Sequence, residues 1–203
     1  TGNGHVIILD IGAKPECKPE NLLQFGIMGS VYAERVRGVK NPRVGLISNG
    51  EEAGKGSELV KAAYPLLESA NLNFIGNVEG KEVFGGHADV AVTDGFTGNV
   101  LLKSTEAVAK LLIDKIRESI KGGGPLAMVG GALIRPAMGK VRKLLDPSEE
   151  GAAPLLGVNG LVFIGHGRSD AIAIKNAIRV AKEAAESKVL DAMKSAIEES
   201  LKK

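Results

Sequence analysis

Short apolar runs separated by helical patterns set the rhythm of this chain. "HVIILDIG", "PRVGLIS", "LNFIGNV", "ADVAVTDG" and "GLVFIGHG" each gather β-branched or apolar residues and then stop at Gly, Asn or Asp, as strands do. Their apolarity is nearly continuous rather than alternating, which predicts strands covered on both faces, as in a sheet between two helical layers. Between them, Pro19 to Arg37, Ser57 to Ala70, Thr97 to Lys121 and Ser169 to Ser187 carry apolar positions at three-and-four spacing, and "SKVLDAMKSAIEESLKK" continues as a charged terminal helix. The class is α/β.

One segment breaks the alternation. From Gly122 to Asp146, "GGGPLAMVGGALIRPAMGKVRKLLD" is apolar in its first half and basic in its second, interrupted by Gly and Pro136, with no strand inside. It predicts a helical excursion from the sheet over residues 122–146. "DPSEEGAAP" then reads as the loop leading back. There is no internal repeat.

Composition narrows the function classes. A chain of 203 residues is long enough to bury a real core. With 44% hydrophobic residues, 25% charged and a net charge of +2, it is neither a disordered tail nor a polyanion-seeking protein. Two Tyr, five Phe and no Trp leave little for stacking on bases, so nucleic acid is not an expected partner. Cys17 is the sole cysteine and has no Cys/His cluster for company, so neither a disulfide nor a metal site is expected, and a reducing cytoplasm is the simplest compartment. No run of about 18 apolar residues and no charged-then-apolar leader is present, so neither a spanning helix nor a signal peptide is expected. The chain enters "TGNGHVIILDIG" on a strand pattern without an initiating Met, and is expected to be a piece of a longer one.

Three strand-to-helix loops carry candidate chemistry, because ligands of open α/β sheets sit beyond the strands' carboxyl ends, where free amides open helices. "VTDGFTGNVLLK" offers Asp94, Gly95, Thr97, Gly98 and Asn99. "IGHGRSDAIAIKNAI" offers His166, Gly167, Arg168 and Ser169, with Ser169 or Asp170 as helix cap. "SNGEEAGKGSELV" has Ser57 as cap and Glu58 in the first turn. Within it "GEEAGKG" approaches a phosphate-gripping P-loop but is one residue short. Gly56 replaces the Mg²⁺-binding hydroxyl, and Glu51 and Glu52 add negative charge. Together the loops suggest one anion-binding crevice; singly, each is also a common turn of this class.

"LDIGAKPECKPENLLQFGIMGSVYAERV", "NPRVGLISNGEEAGKGSELV", "NFIGNVEGKEVF", "ADVAVTDGFTGNVLLKSTE" and "GHGRSDAIAIKNAI" resemble, in order, successive motifs of the PlsX family, the acyl-carrier-protein:phosphate acyltransferases of bacterial phospholipid synthesis. The resemblance runs over essentially the whole chain and corresponds to the carboxyl-terminal portion of that family, whose amino-terminal part would be missing here. It implies a three-layer α/β/α sandwich like that of the isocitrate and isopropylmalate dehydrogenases, without nicotinamide chemistry and with no cofactor. The implied reaction moves a fatty acyl group from the thioester of acyl carrier protein to orthophosphate. Phosphate is itself the nucleophile, which explains why no nucleophile-base-orienter set is visible.

The resemblance assigns catalysis to Lys55 and Asn99, a mobile point charge and an amide donor for the anion or the developing oxyanion. It leaves His166, Gly167, Ser169, Gly95, Thr97, Gly98 and Asp94 to hold substrate or phosphate, with His166 a possible proton donor to the departing thiolate. The alternatives are structural: Lys55 paired with Glu51 or Glu52, Asn99 as a helix cap, His166 as a hydrogen-bonded strand end. Asp10 and Asp94 read best as buried caps, Cys17 as inert, and His5 and His87 as surface or structural. In the excursion, Leu133 and Ile134 belong to an apolar face suited to lipid, while Arg135, Lys140, Arg142 and Lys143 suit anionic headgroups. That implies peripheral association with the inner face of the cell membrane. Its rivals are a homodimer interface and a dock for acidic acyl carrier protein. The rival functions are an acyltransferase using coenzyme A thioesters, a non-catalytic scaffold for membrane or carrier protein, and more weakly a dehydrogenase, for which no G-x-G-x-x-G follows a strand.

Overall fold

A computed structural model describes residues 6–200. In chain order the elements are β1 (Ile7–Leu9), α1 (Pro19–Arg35), β2 (Arg43–Ile47), α2 (Glu58–Glu68), β3 (Asn73–Val78), α3 (Gly80–Gly85), β4 (Val90–Val92), α4 (Gly95–Gly122), α5 (Gly124–Leu144), β5 (Ala152–Leu155), β6 (Val162–Gly165), α6 (Ala171–Glu186) and α7 (Val189–Ser200). They fall into two compact units. The first comprises residues up to Val100, Pro154–Val162 and the chain from Ala181; the second comprises Leu101–Ala153 and Phe163–Val180.

The first unit is built on a four-stranded sheet in the order β1-β4-β2-β3, every pair parallel. The steps from β1 to β2 and from β2 to β3 run the same way across the sheet, and the step from β3 to β4 runs back. Because parallel crossovers are right-handed, α1 and α2 must share one face and α3 must take the other. The packing follows that rule. Leu22 and Ala33 of α1 and Val60, Ala63 and Leu67 of α2 are buried with Val44, Leu46, Val90 and Val92, whereas Val83 of α3 is buried with Val78, Ala88 and Ala91. The α/β class and the helix-covered parallel sheet are therefore as the apolar runs predict. α7 packs on α1.

Register between β2 and β3 slips once. Val44 stands opposite Phe74, but Leu46 stands opposite Asn77, so β3 carries one extra residue. Gly76 lies in the bulge at φ +88°, a conformation that glycine adopts without strain.

Three departures from the sequence pattern are local. "GLVFIGHG" does form β6, but β6 pairs with β5 in a separate two-stranded sheet, and Val162 and Ile164 are exposed rather than covered. β5 itself lies in a stretch that reads as loop: "AAPL" has no β-branched residue and contains Pro154, so pairing with β6 rather than propensity makes it a strand. α3 is too short to show a periodicity. In the second unit, α5 runs through Pro136 with no buried residue, and a 3₁₀ turn at Pro147–Glu149 is tied to α6 by a bond from Asn176 Nδ2 to the Ser148 carbonyl at 2.8 Å.

Candidate active site

Because all four strands of the first unit are parallel, the loops that follow them leave one edge of the sheet. After β1 comes Asp10, whose carboxylate accepts three backbone N–H bonds, from Gly12 at 2.8 Å, Ala13 at 2.9 Å and Lys14 at 2.6 Å. The expectation of a buried cap is correct for this residue: Asp10 shapes the loop and has little capacity left for a ligand.

After β4 the chain turns into α4 earlier than the sequence suggests, so Thr97, Gly98 and Asn99 lie inside the first turns of the helix and not in a loop. Asp94 is the cap. It accepts from the Thr97 amide and the Thr97 hydroxyl, both at 2.8 Å, so these two groups satisfy each other. Gly95 and Gly98 are buried, and their amides already donate, to the carbonyls of Lys14 at 3.0 Å and Asp94 at 2.9 Å. A Cβ on Gly98 would meet the Asp10 carbonyl oxygen, and one on Gly95 would lie 2.7 Å from that of Lys14. Both are glycines because α4 packs directly on the β1 loop, which leaves neither amide open to an anion. Asn99 differs. It is exposed, its carboxamide makes no hydrogen bond among the described residues, and its Oδ1 lies against Gly12 of the β1 loop. The helix-cap alternative for Asn99 is thus answered by Asp94.

After β2, which neighbours β4, comes the Lys55 loop. Ser57 caps α2, accepting from the Val60 amide at 3.3 Å, and Glu58 in the first turn pairs with Lys61 at 3.1 Å. Asn49, Gly50, Glu51, Glu52, Lys55 and Glu79 line an open hollow of about 500 Å³. So acidic a lining would neutralise Lys55 if the carboxylates were at liberty. Lys81 engages three of the nearby ones, meeting Glu51 at 3.1 Å, Glu79 at 3.1 Å and Glu82 at 3.3 Å. Those carboxylates lie close enough to share a cation, and the Lys81 ammonium is that cation, held charged by Glu51 first and by Glu79 and Glu82 after it. Lys55 forms no ion pair among the described residues. The alternative that pairs Lys55 with Glu51 or Glu52 is therefore not what the chain does.

The third loop belongs to the second unit. His166 is exposed; its Nδ1 accepts from the Arg168 amide at 3.4 Å, and its carbonyl accepts from the Ser169 amide at 2.9 Å and the Ser169 hydroxyl at 2.7 Å. Asp170, not Ser169, caps α6, accepting from the Ala173 amide at 2.9 Å. Ser169 is spent on its own turn, and Gly167 is exposed with His166 and Arg168. Cys17 donates to the Lys14 carbonyl at 3.3 Å, and burial pushes its thiol up, which keeps it protonated and inert. His87 is exposed, and His5 lies outside the described residues.

Sequence reasoning missed two groups. Lys81 was hidden because one of its three partners, Glu51, comes from a distant loop while Glu79 and Glu82 belong to the cap and first turn of α3, and Asn77 because a strand residue with its side chain under a neighbouring loop has no motif. The one available signal for Asn77 was an amide near the end of an otherwise apolar strand.

With this geometry in view, comparison with known proteins is decisive for the family. The profile of the family described as "Fatty acid synthesis protein" matches residues 1–192. The chain belongs to this family. Its relatives there include proteins named phosphate acyltransferase from Pelotomaculum thermopropionicum, 50% identical over 195 residues, and from Desulfitobacterium hafniense, 51% identical over 195 residues, each alignment covering 96% of this chain. A third, from Aquifex aeolicus, is 49% identical over 180 residues, or 89% of this chain. The chain spans 57%, 58% and 53% of those three relatives' lengths. The family membership bears out the PlsX resemblance on which Lys55 and Asn99 were singled out.

Proposed function

We propose that this chain carries the catalytic edge of a phosphate acyltransferase that moves a fatty acyl group from acyl carrier protein to orthophosphate. A phosphate oxygen attacks the thioester carbonyl carbon, the C–S bond breaks, and acyl phosphate and the carrier's thiol are the products. The observation that carries the reading is the pair of groups at neighbouring strand ends, the Lys55 ammonium and the Asn99 carboxamide, that have no ion pair or hydrogen bond among the described residues and so are at liberty to meet a ligand. Lys55 holds phosphate and Asn99 donates to the oxyanion as it forms; such preorganised donors account for much of the rate in acyl transfer. The full sheet is of the isocitrate dehydrogenase type, and no cofactor takes part.

A full-length acyltransferase containing this segment tests it. Lys55→Ala and Asn99→Ala are each expected to lower phosphate-dependent release of carrier-protein thiol by about 100-fold or more, the usual cost of one oxyanion donor. Melting temperatures should stay near wild type, because both side chains are exposed. Normal turnover in both variants sinks the assignment. Faster turnover with acyl coenzyme A than with acyl carrier protein would favour the coenzyme A alternative.

α5 supports a peripheral role at the inner face of the cell membrane. Leu126 is 85% exposed and Leu133 78%, with Met128, Val129 and Ile134 also exposed. Arg135, Lys140, Arg142 and Lys143 follow along the same helix. No helix among the described residues is long and apolar enough to cross a membrane. Lying on an anionic surface suits this composition. Contact with a second copy in a homodimer is the competing use of the same apolar residues.

A further inference from the structure

Asn77 lies beneath the Lys55 loop. It is 5% exposed and stands next to last in β3, yet its carboxamide is not devoted to the sheet. Its Nδ2 donates to the Glu52 carbonyl at 2.7 Å and, more weakly, toward the Lys55 carbonyl at 3.5 Å. The Lys55 amide closes on the same Glu52 oxygen at 2.9 Å. The turn from Glu52 to Lys55 is thus held at both ends by one buried side chain. Among the described residues no other side chain bonds the main chain between Gly50 and Gly56.

Two features show that this arrangement is not made for the core. Asn77 Oδ1 is buried with no hydrogen-bond partner among the described residues. A buried carbonyl oxygen left unpaired is destabilising, so an apolar side chain of similar volume would suit the interior better. What asparagine alone supplies is N–H groups facing the loop. The bulge at Gly76 is the second feature. By adding one residue to β3 it puts Asn77 in the place opposite Leu46 that an unbroken ladder would give to Gly76. Bulges commonly re-aim a side chain beside an active site.

We propose that Asn77 is the positioning residue of Lys55: its carboxamide fixes the turn on which the catalytic ammonium stands, and it acts on the reaction only through that ammonium. The inference rests on the reading of Lys55 given above. Three variants in the full-length acyltransferase separate the two ideas: Asn77→Asp, Asn77→Leu and Lys55→Ala, with each Asn77 variant also made in the Lys55→Ala background. Asn77→Asp keeps the size but faces two carbonyls with no N–H to give. Asn77→Leu removes every polar atom.

Misplacement of a catalytic group by about an ångström costs up to roughly 100-fold. Both Asn77 variants are therefore expected to slow single-turnover acyl transfer by about tenfold or more. Asn77→Leu should do so while matching or exceeding wild-type thermal stability. Amide exchange should quicken over residues 50–56 and stay unchanged along β2. In the Lys55→Ala background neither Asn77 change should slow the reaction further, because the group it positions is gone. An equal loss in both backgrounds, or wild-type rates in Asn77→Leu, overturns the proposal while leaving Lys55 in place. Wild-type rates in Lys55→Ala alone retire the reading of Lys55, and this inference with it.

Discussion

Arg43 and Asp89 make a fully bonded ion pair in the chain's first unit, and they show how a charge pair serves the fold rather than the chemistry. The guanidinium meets both carboxylate oxygens at 2.9 Å, the Arg43 amide donates to the same carboxylate at 2.8 Å, and a further N–H reaches the Gly86 carbonyl at 2.9 Å. The bonds from Arg43 hold the Asp89 carboxyl below its ordinary value of 3.8. A carboxyl lowered by folding gives stability that is present above its unfolded value and lost as pH falls through the folded one. Asp89→Asn should therefore lower stability at pH 7 by on the order of 1 kcal/mol, a figure kept small because solvent reaches the arginine. The difference from wild type should begin to close only below that ordinary value and go on closing as pH falls through the lower folded one. Thermal melts of both proteins from pH 7 into the acid range check it, and a gap that does not shrink as the wild-type carboxyl protonates rejects the ion-pair account. By contrast, the residues with candidate chemistry are those the fold leaves unbonded. Asn99 and Lys55 could be picked from their loops, but that Asp94, Thr97 and Ser169 are consumed by local turns depends on where the helices begin, and sequence fixes such boundaries only loosely.

At the level of elements, α4 is seated by its glycines. Gly98 faces the Asp10 carbonyl so closely that any Cβ must push the helix off the β1 loop. Gly98→Ala is expected to cost about 2–3 kcal/mol, as overpacking does, and to lower activity beyond that of a merely less stable protein, since Asn99 is the next residue. An activity that tracks the fraction folded, measured by circular dichroism beside turnover, would refute the second half. The elements legible in advance were those with strong internal patterns: β1, β2, β3, β4 and β6 as apolar runs, and α1, α2, α4, α6 and α7 as helices. β5 was illegible because "AAPL" becomes a strand only by meeting β6; the β3 bulge did have a signal, the lone Gly76 within an apolar strand pattern, but that signal does not say which neighbour's register it shifts. The functional value of Asn77 is of the same kind, a contact between β3 and a loop 22 to 25 positions earlier.

For the molecule as a whole, α5 supplies a test of where the proposed acyltransferase would work. Charge reversal at Arg142 and Lys143 removes two cations and adds two anions, and each basic residue near an anionic surface is worth about 1 kcal/mol. The double variant should sediment with phosphatidylglycerol vesicles at least tenfold less well than wild type, with its oligomeric state unaltered. Unchanged sedimentation would favour a subunit contact for this helix. α7 has a consequence of another sort. It closes over α1, although roughly 150 positions of chain lie between Arg35 and Val189. At translation rates of about 5–20 residues per second, α1 leaves the ribosome some 8 to 30 s before its cover is made. For that interval the nascent polypeptide carries a helix seated on the sheet but bare on the side that α7 will cover, so chaperone dependence during synthesis should exceed that of the finished protein.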